Sequence, residues 1–221
     1  MDQVSDLLLT HLDGDHFNPA WSRTLAKGKI KVHVHEKHLS RAVAHGLDHE
    51  ILCPFDTSVD IGEVHIETVH MTHDTLGTTG FIFNLPGIRF GFATDLGSVP
   101  RTLLQSFTSL DALAIESNYD PTMQRSSGRP ISLQDRIMGG SGHLSNEESL
   151  AAVEQIAESS QLQHIVLLHL SQQCNSPSII RSLYQDNLAN LYDTLTITSQ
   201  DRCSRLLTLE KQGVVTPKQL F

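Results

Sequence analysis

Four strand-like stretches of this chain lead, directly or through one threonine, into a histidine or an aspartate. Leu7-Leu8-Leu9 runs through Thr10 into His11, Val64 to Met71 through Thr72 into His73, Ile88 to Thr94 into Asp95, and His164 to Leu168 into His169. Short apolar runs bounded by turn residues read as buried strands, so each of these polar residues stands where a strand meets a loop. Catalytic loops of α/β folds sit at the carboxyl ends of strands.

The segments between them read largely as helices. Asn18 before Pro19 is an N-cap with proline at the first helical position and Gly28 is a stop, which gives a helix over Ala20 to Lys27. Ile30 to His35 reads as a strand and Leu39 to His45 as a helix. Gly80 to Leu85, the Pro86-Gly87 turn and Ile88 to Thr94 form a hairpin. A helix is expected near Pro100 to Phe107, a strand at Ala112 to Glu116, and a helix opened by the capping box Ser145-Asn146-Glu147-Glu148, with Leu150, Val153 and Ile156 on one face. Ser176-Pro177 starts another helix through Leu188, and Thr194 to Thr198 is a last strand. This interleaving points to an α/β layered fold with a mixed sheet, and residues 1–221 read as one domain because no linker divides them.

Sixteen Lys+Arg against 25 Asp+Glu leave a formal charge of −9, while 13 residues are histidine. An acidic balance argues against a broad electrostatic grip on nucleic acid, although two divalent cations would reverse the sign locally. The longest apolar runs are a few residues, short of the roughly 20 that a membrane span needs, and Met1-Asp2-Gln3 lacks the basic start of a secretory signal. Cys53, Cys174 and Cys203 offer no close pair, a usage that fits a reducing compartment. The expected location is the cytoplasm.

The densest signal is His11-Leu12-Asp13-Gly14-Asp15-His16. On a loop, such spacing lets imidazoles and carboxylates converge on one or two cations, and that mixture suits zinc, manganese or iron. The plain alternative, a solvated turn, loses weight beside His73, Asp95 and His169 at other strand ends.

Thr10-His11-Leu12-Asp13-Gly14-Asp15-His16 resembles the Thr-His-x-His-x-Asp-His signature of the metallo-β-lactamase fold superfamily. Thr72-His73-Asp74, Ala93-Thr94-Asp95-Leu96-Gly97, Glu116-Ser117-Asn118-Tyr119-Asp120, Gly142-His143-Leu144-Ser145-Asn146-Glu147 and Leu168-His169-Leu170-Ser171 follow in order. Together these blocks resemble the branch containing the WalJ (YycJ-type) exonucleases, and they span nearly the whole chain. The resemblance implies a four-layer αββα sandwich with a metal site at one edge of the stacked sheets. It implies one divalent cation held by His11, Asp13 and His73, a second by Asp15, His16 and His169, and Asp95 bridging the two, with zinc as the default metal. A hydroxide between cations about 3.5–4 Å apart is then the nucleophile. Asp15 and His143 are the catalytic candidates; His143 matches a histidine that contacts the scissile phosphate in nuclease relatives and is suited to protonating the leaving oxygen. Arg136 is a candidate phosphate clamp, with an exposed helix arginine as its plain alternative.

Two departures from the family pattern matter. Asp13 stands where most members have histidine, so the first site gains a negative charge and a harder oxygen ligand, which shifts preference from zinc toward manganese, magnesium or ferrous iron. The metal loop also begins ten residues after Met1, where family members carry a few tens of residues that supply the first strands of one sheet. The sandwich is therefore expected to be N-terminally truncated, with an exposed strand edge and apolar face that invite assembly into a homo-oligomer.

The expectation is a metal-dependent hydrolase, a phosphodiesterase or nuclease acting on a phosphodiester or nucleic-acid substrate. The same fold also hydrolyses thioesters, lactones and lactams, and a non-catalytic metal-binding remnant is the alternative of a different class. His33, His35 and His38 lack a carboxylate or cysteine at matching spacing for a further metal site, and their segment is expected at a sheet edge. His70 competes with His73 and yields to it, because Thr-His-Asp is the family block. Asp74 is a candidate acceptor orienting a ligand imidazole.

Overall fold

The computed structural model describes residues 4–211, which form two β-sheets packed face to face with helices on both outer sides. The first sheet holds three parallel strands in the order β1 (Asp6–Leu8), β2 (Lys31–His35) and β3 (Leu52–Phe55). The second holds seven, neighbours in chain order: β4 (Ser58–Ile61), β5 (Val64–Met71), β6 (Thr78–Leu85), β7 (Ile88–Ala93), β8 (Ala112–Glu116), β9 (His164–Leu168) and β10 (Leu195–Ile197). Strands β4 to β7 pair antiparallel and β7 to β10 parallel. The helices are α1 (Ser22–Gly28), α2 (Leu39–Ala44), α3 (Arg101–Ser106), α4 (Pro121–Arg125), α5 (Ile131–Met138), α6 (Asn146–Glu158) and α7 (Pro177–Asn187).

The two-residue period of the strands fixes the layers. In β2, Val32 and Val34 join one apolar cluster with Leu25 of α1 and Ala42 of α2, while His35 on the other face stacks on His70 of β5, ring centroids 4.3 Å apart. In the second sheet, Leu113, Ile115, Ile165 and Leu167 meet Leu103 of α3, Val153 and Ile156 of α6 and Ile180 and Tyr184 of α7. Leu8 and Phe55 fill the space between the sheets against Ile66, Phe81 and Phe92. The order helix, sheet, sheet, helix is the expected αββα arrangement.

Local chemistry explains the best-defined elements. The Ser145 hydroxyl accepts from the Glu148 amide at 3.1 Å and the Glu148 carboxylate accepts from the Ser145 amide at 2.8 Å, so the capping box satisfies two of the open amides of α6. Gly87, at φ 77°, turns β6 into β7 with Leu85 opposite Ile88.

Several features differ from the sequence reading. Gly28 closes α1 from within, and the left-handed residue after it is Lys29, whose amide bonds back to Ala26. The short strands β3 and β4 and the helices α4 and α5 were not expected. Strand β2 lies in the middle of the first sheet rather than at its edge. Beside β1, the inner face of the second sheet lines a groove of about 680 Å³ formed by Leu7, Leu8, Phe81, Phe83, Phe90 and Phe92, which ends at His16 and His169. Among the described residues no helix is long and apolar enough to cross a membrane.

Candidate metal centre

Strands β5 and β7 are both antiparallel to β6, and β8 and β9 are parallel to β7, so four carboxyl ends meet at one edge of the second sheet. They deliver His73, Asp95, Glu116 and His169. The loop after β1 is tied to this edge by a hydrogen bond from the Thr79 amide to the Thr10 carbonyl, 3.0 Å, and brings His11 to His16 across it. Asp95 and His169 have φ of 56° and 57°, a left-handed conformation that costs a non-glycine residue roughly 1–2 kcal/mol. Strain at these two positions is typical of groups held for function.

Two adjoining ligand groups result. In one, Asp13 Oδ2 lies 3.7 Å from His11 Nε2 and 3.8 Å from His73 Nε2. In the other, His16 Nε2 lies 2.9 Å from Asp95 Oδ2, and Asp15 Oδ2 lies 3.8 Å from His16 Nε2 and 3.9 Å from His169 Nε2. Asp95, 1% exposed, joins them: its Oδ1 is 4.0 Å from His73 Nε2 and 3.3 Å from His169 Nδ1. Each set of ligand atoms lies within 4.8 Å of one another, the spacing of donors around a shared ion.

The donor set fits divalent cations on the protein's own terms. His11 is buried and its Nε2 has no hydrogen-bond partner, a costly orphan unless something else satisfies it. Its Nδ1 is engaged by the Thr10 hydroxyl at 3.0 Å. His73 donates from Nδ1 to the Gly142 carbonyl at 2.9 Å and His169 from Nδ1 to Glu116 at 2.9 Å, which leaves the Nε2 of each for a cation.

Glu116 is a candidate functional residue that sequence reasoning did not single out. It is fully buried; its Oε1 accepts from Nδ1 of both His143 (2.8 Å) and His169 (2.9 Å), and its Oε2 accepts from the Leu96 amide at 2.7 Å. One carboxylate thus couples the candidate ligand His169 to the candidate acid His143. The available signal was its place at the end of an otherwise apolar strand, as for Asp95 and His169.

Protonation follows this geometry. Burial pushes the His11 imidazole down to about 4. Burial acts the same way on His169, but the Glu116 hydrogen bond and the charges of Asp95, Glu116 and Asp15 overcome it and raise His169 to about 9. His16 is raised against its burial by Asp95. Burial opposes the charge of Asp95, yet the His16 bond and the neighbouring imidazoles hold its carboxyl well below the usual range.

The other named residues fall around this centre. His143 Nδ1 lies 3.6 Å from Asp95 Oδ1. Arg136, on α5, makes a two-pronged ion pair with Asp74, so a phosphate would have to compete with that carboxylate. Asp74 therefore does not orient His73, which the Gly142 carbonyl holds instead. His70 stacks on His35 and His38 bonds to the Gly77 carbonyl; these rings and His33, paired with Asp6 at 2.7 Å, make no metal-ligand group among the described residues. Arg129 lines a cleft of about 350 Å³ with Asn118, His143 and His169. Its hydrogen bonds go to the neutral amides of Gln124 and Gln173. A larger cleft of about 830 Å³, lined by Asp15, His16, His169, Gln172, Asn175 and Gln200, opens beside it.

A model of the family described as Beta-lactamase superfamily domain matches residues 1–169. Exodeoxyribonuclease YycJ of Bacillus anthracis is 25% identical over 186 residues, covering 82% of this chain and 69% of that protein. Exodeoxyribonuclease WalJ of Streptococcus pneumoniae serotype 2 is 28% identical over 128 residues, covering 58% of this chain and 47% of that protein. The crystal structure of the metallo-beta-lactamase fold protein YhfI from Bacillus subtilis superposes with a TM-score of 0.64 at 12% identity, over 90% of this chain and 76% of that one.

Proposed function

Because the chain belongs to the beta-lactamase superfamily domain family, a family of metal-dependent hydrolases, we propose that its substrate is a phosphodiester of nucleotide size, held where His11, Asp13 and His73 adjoin Asp15, His16, Asp95 and His169. The observation that carries the reading is the Glu116 bridge, which sets a proton-exchanging imidazole, His143, beside the ligand His169. Divalent cations bound there supply Lewis acidity and bring the pKa of bound water toward neutrality; zinc is the default and manganese or iron the alternative.

The protein's own groups do the rest. With Nδ1–H committed to Glu116, the imidazolium form of His143 carries a second N–H at Nε2 to give to the leaving oxygen and becomes the neutral Nδ1–H ring. Asp95 holds negative charge between the two ligand groups and keeps them within one substrate's reach. Arg129, whose guanidinium bonds to the neutral amides of Gln124 and Gln173 among the described residues, lines the cleft and offers a fork to a phosphate, while Arg136 stays at the rim with Asp74. The clefts of about 830 and 350 Å³ suit one or a few nucleotides, and the charge of −9 speaks against a long polyanion footprint. The names of the two exodeoxyribonuclease relatives support a DNA substrate.

A second reading has its own observation. The groove lined by Phe81, Phe83, Phe90 and Phe92 ends at His16 and His169, which fits the apolar acyl group of a thioester or lactone. Turnover of bis(p-nitrophenyl) phosphate and of an acyl thioester by the metal-loaded protein separates the two: phosphodiester hydrolysis is expected, and hydrolysis of the thioester alone would overturn it.

A further inference from the structure

Asp13 is the one member of the first ligand group that carries charge, and a cation of the protein stands on it. Arg41, on α2, places Nη1 2.7 Å from Asp13 Oδ1, while Oδ2 is the oxygen turned toward His11 and His73, at 3.7 and 3.8 Å. The two carboxylate oxygens are thus divided between two tasks. From this division we infer that Arg41 is the selectivity-setting partner of the first metal position: it cancels the charge of Asp13 and confines that carboxylate to one-oxygen coordination. The inference rests on the two-cation reading above and adds to it a residue that touches no cation itself.

Two consequences follow from charge and geometry. Two neutral imidazoles plus a carboxylate would attract a dication more strongly than three imidazoles; with Arg41 counted, the set is neutral again. Manganese and magnesium favour six oxygen-rich ligands, and zinc favours four with nitrogen. An Asp13 limited to Oδ2 fits the second demand, whereas freeing Oδ1 permits two-oxygen binding and the first. Arg41 therefore restrains the hard-metal preference that the aspartate brings to a position where histidine is usual. Its side chain is 38% exposed, so replacing it removes little packing.

The test reads metal binding rather than turnover. Full-length protein with His169→Ala, which cripples the second group and leaves the first, is titrated calorimetrically with ZnCl₂ and with MnCl₂, with and without Arg41→Met. Arg41→Met is expected to tighten manganese by about tenfold or more, as removal of a unit charge some ångströms from a dication implies, and to tighten zinc less. Arg41→Lys, which keeps the charge, is expected to leave zinc affinity within about threefold. Asp13→His with Arg41 in place leaves a guanidinium beside three imidazoles and is expected to weaken zinc about tenfold, and in that background Arg41→Met is expected to tighten zinc by about tenfold, clearly more than it does beside Asp13, a non-additivity that two independent sites would not show. Thermal melts of each variant check the fold. Unchanged affinities in Arg41→Met, or additive effects in the double variant, would overturn the inference while leaving the two-cation reading intact. A parent protein that binds no dication in either group would overturn that reading itself.

Discussion

Replacing Glu116 with glutamine keeps its shape and removes its capacity to serve four partners. In the fold, Oε1 takes the Nδ1–H of His143 and of His169, and Oε2 takes the Leu96 amide at 2.7 Å with the Leu144 amide at 3.4 Å. If the glutamine carbonyl serves the imidazoles, its NH₂ faces two backbone N–H groups, and a buried donor left unpaired costs about 1–3 kcal/mol. The two bonds to imidazole also become neutral and weaker, which brings the expected loss to about 2–4 kcal/mol. The pKa of His169 gives a second route to the same size. Its rise from 6.5 to about 9 corresponds to about 3 kcal/mol for the bound proton, shared among Glu116, Asp95 and Asp15. Because the folded value lies above the ordinary one, this stabilisation is full below pH 6.5 and disappears as pH rises through about 9. Urea unfolding of EDTA-treated protein at pH 6, 7, 8 and 9 is the assay. Wild-type stability is expected to fall across that range, and Glu116→Gln to be less stable at pH 6 with a flatter slope. A variant within about 0.5 kcal/mol of wild type at pH 6, the scatter of ordinary surface changes, would refute the reasoning.

Other predictions follow from the same geometry. Arg129→Gln is expected to raise KM for a dinucleotide substrate by about tenfold with kcat little changed, because it removes a charged contact and none of the ligands; steady-state kinetics would show it, and an effect confined to kcat would contradict it. A Cβ at Gly142 would run into the Arg136 and Ile137 carbonyls, so Gly142→Ala is expected to shift His143 and, through the Gly142 carbonyl, the ring of His73, lowering phosphodiester turnover by ten- to a hundredfold together with metal content, measured by plasma emission; turnover and metal content both at the wild-type level would contradict it. Burial holds His11 and His70 down at about 4; their neutral forms stabilise the fold above pH 6.5, and this is lost as pH falls through about 4. Melting temperatures of the EDTA-treated protein should accordingly drop on that acid limb, and His70→Phe should soften the drop.

What the sequence revealed depended on whether the signal was local. The hairpin of β6 and β7 was legible because Pro86-Gly87 separates two β-rich runs, and α6 because its cap and its apolar stripe are written within a few residues. Strand β3 was hidden by Pro54 inside four residues, a residue that argues against a strand interior. Helix α5 presents no buried side chain and leaves Ile131 75% exposed, so no stripe marks it. The residues expected to gather, His11, Asp13, Asp15, His16, His73, Asp95 and His169, do lie together, because strand ends in a parallel arrangement converge whatever the intervening sequence. Partnerships across the chain were not legible: Asp13 with Arg41, Arg136 with Asp74, and Glu116 with both His143 and His169 join residues 27 to 62 positions apart and have no periodic trace. The backbone at Asp74, with φ 39°, is a further case, since the side chain's neighbour in space is not its neighbour in sequence.

The central claim is that two adjoining groups, joined by Asp95, each hold a divalent cation. Native mass spectrometry of the full chain equilibrated with zinc tests it directly by counting ions per molecule, with Asp95→Asn as the companion. The account predicts two zinc ions bound to the wild type and loss of at least one in Asp95→Asn. A wild-type spectrum with no bound zinc or only one, or two ions retained undiminished in Asp95→Asn, would contradict it.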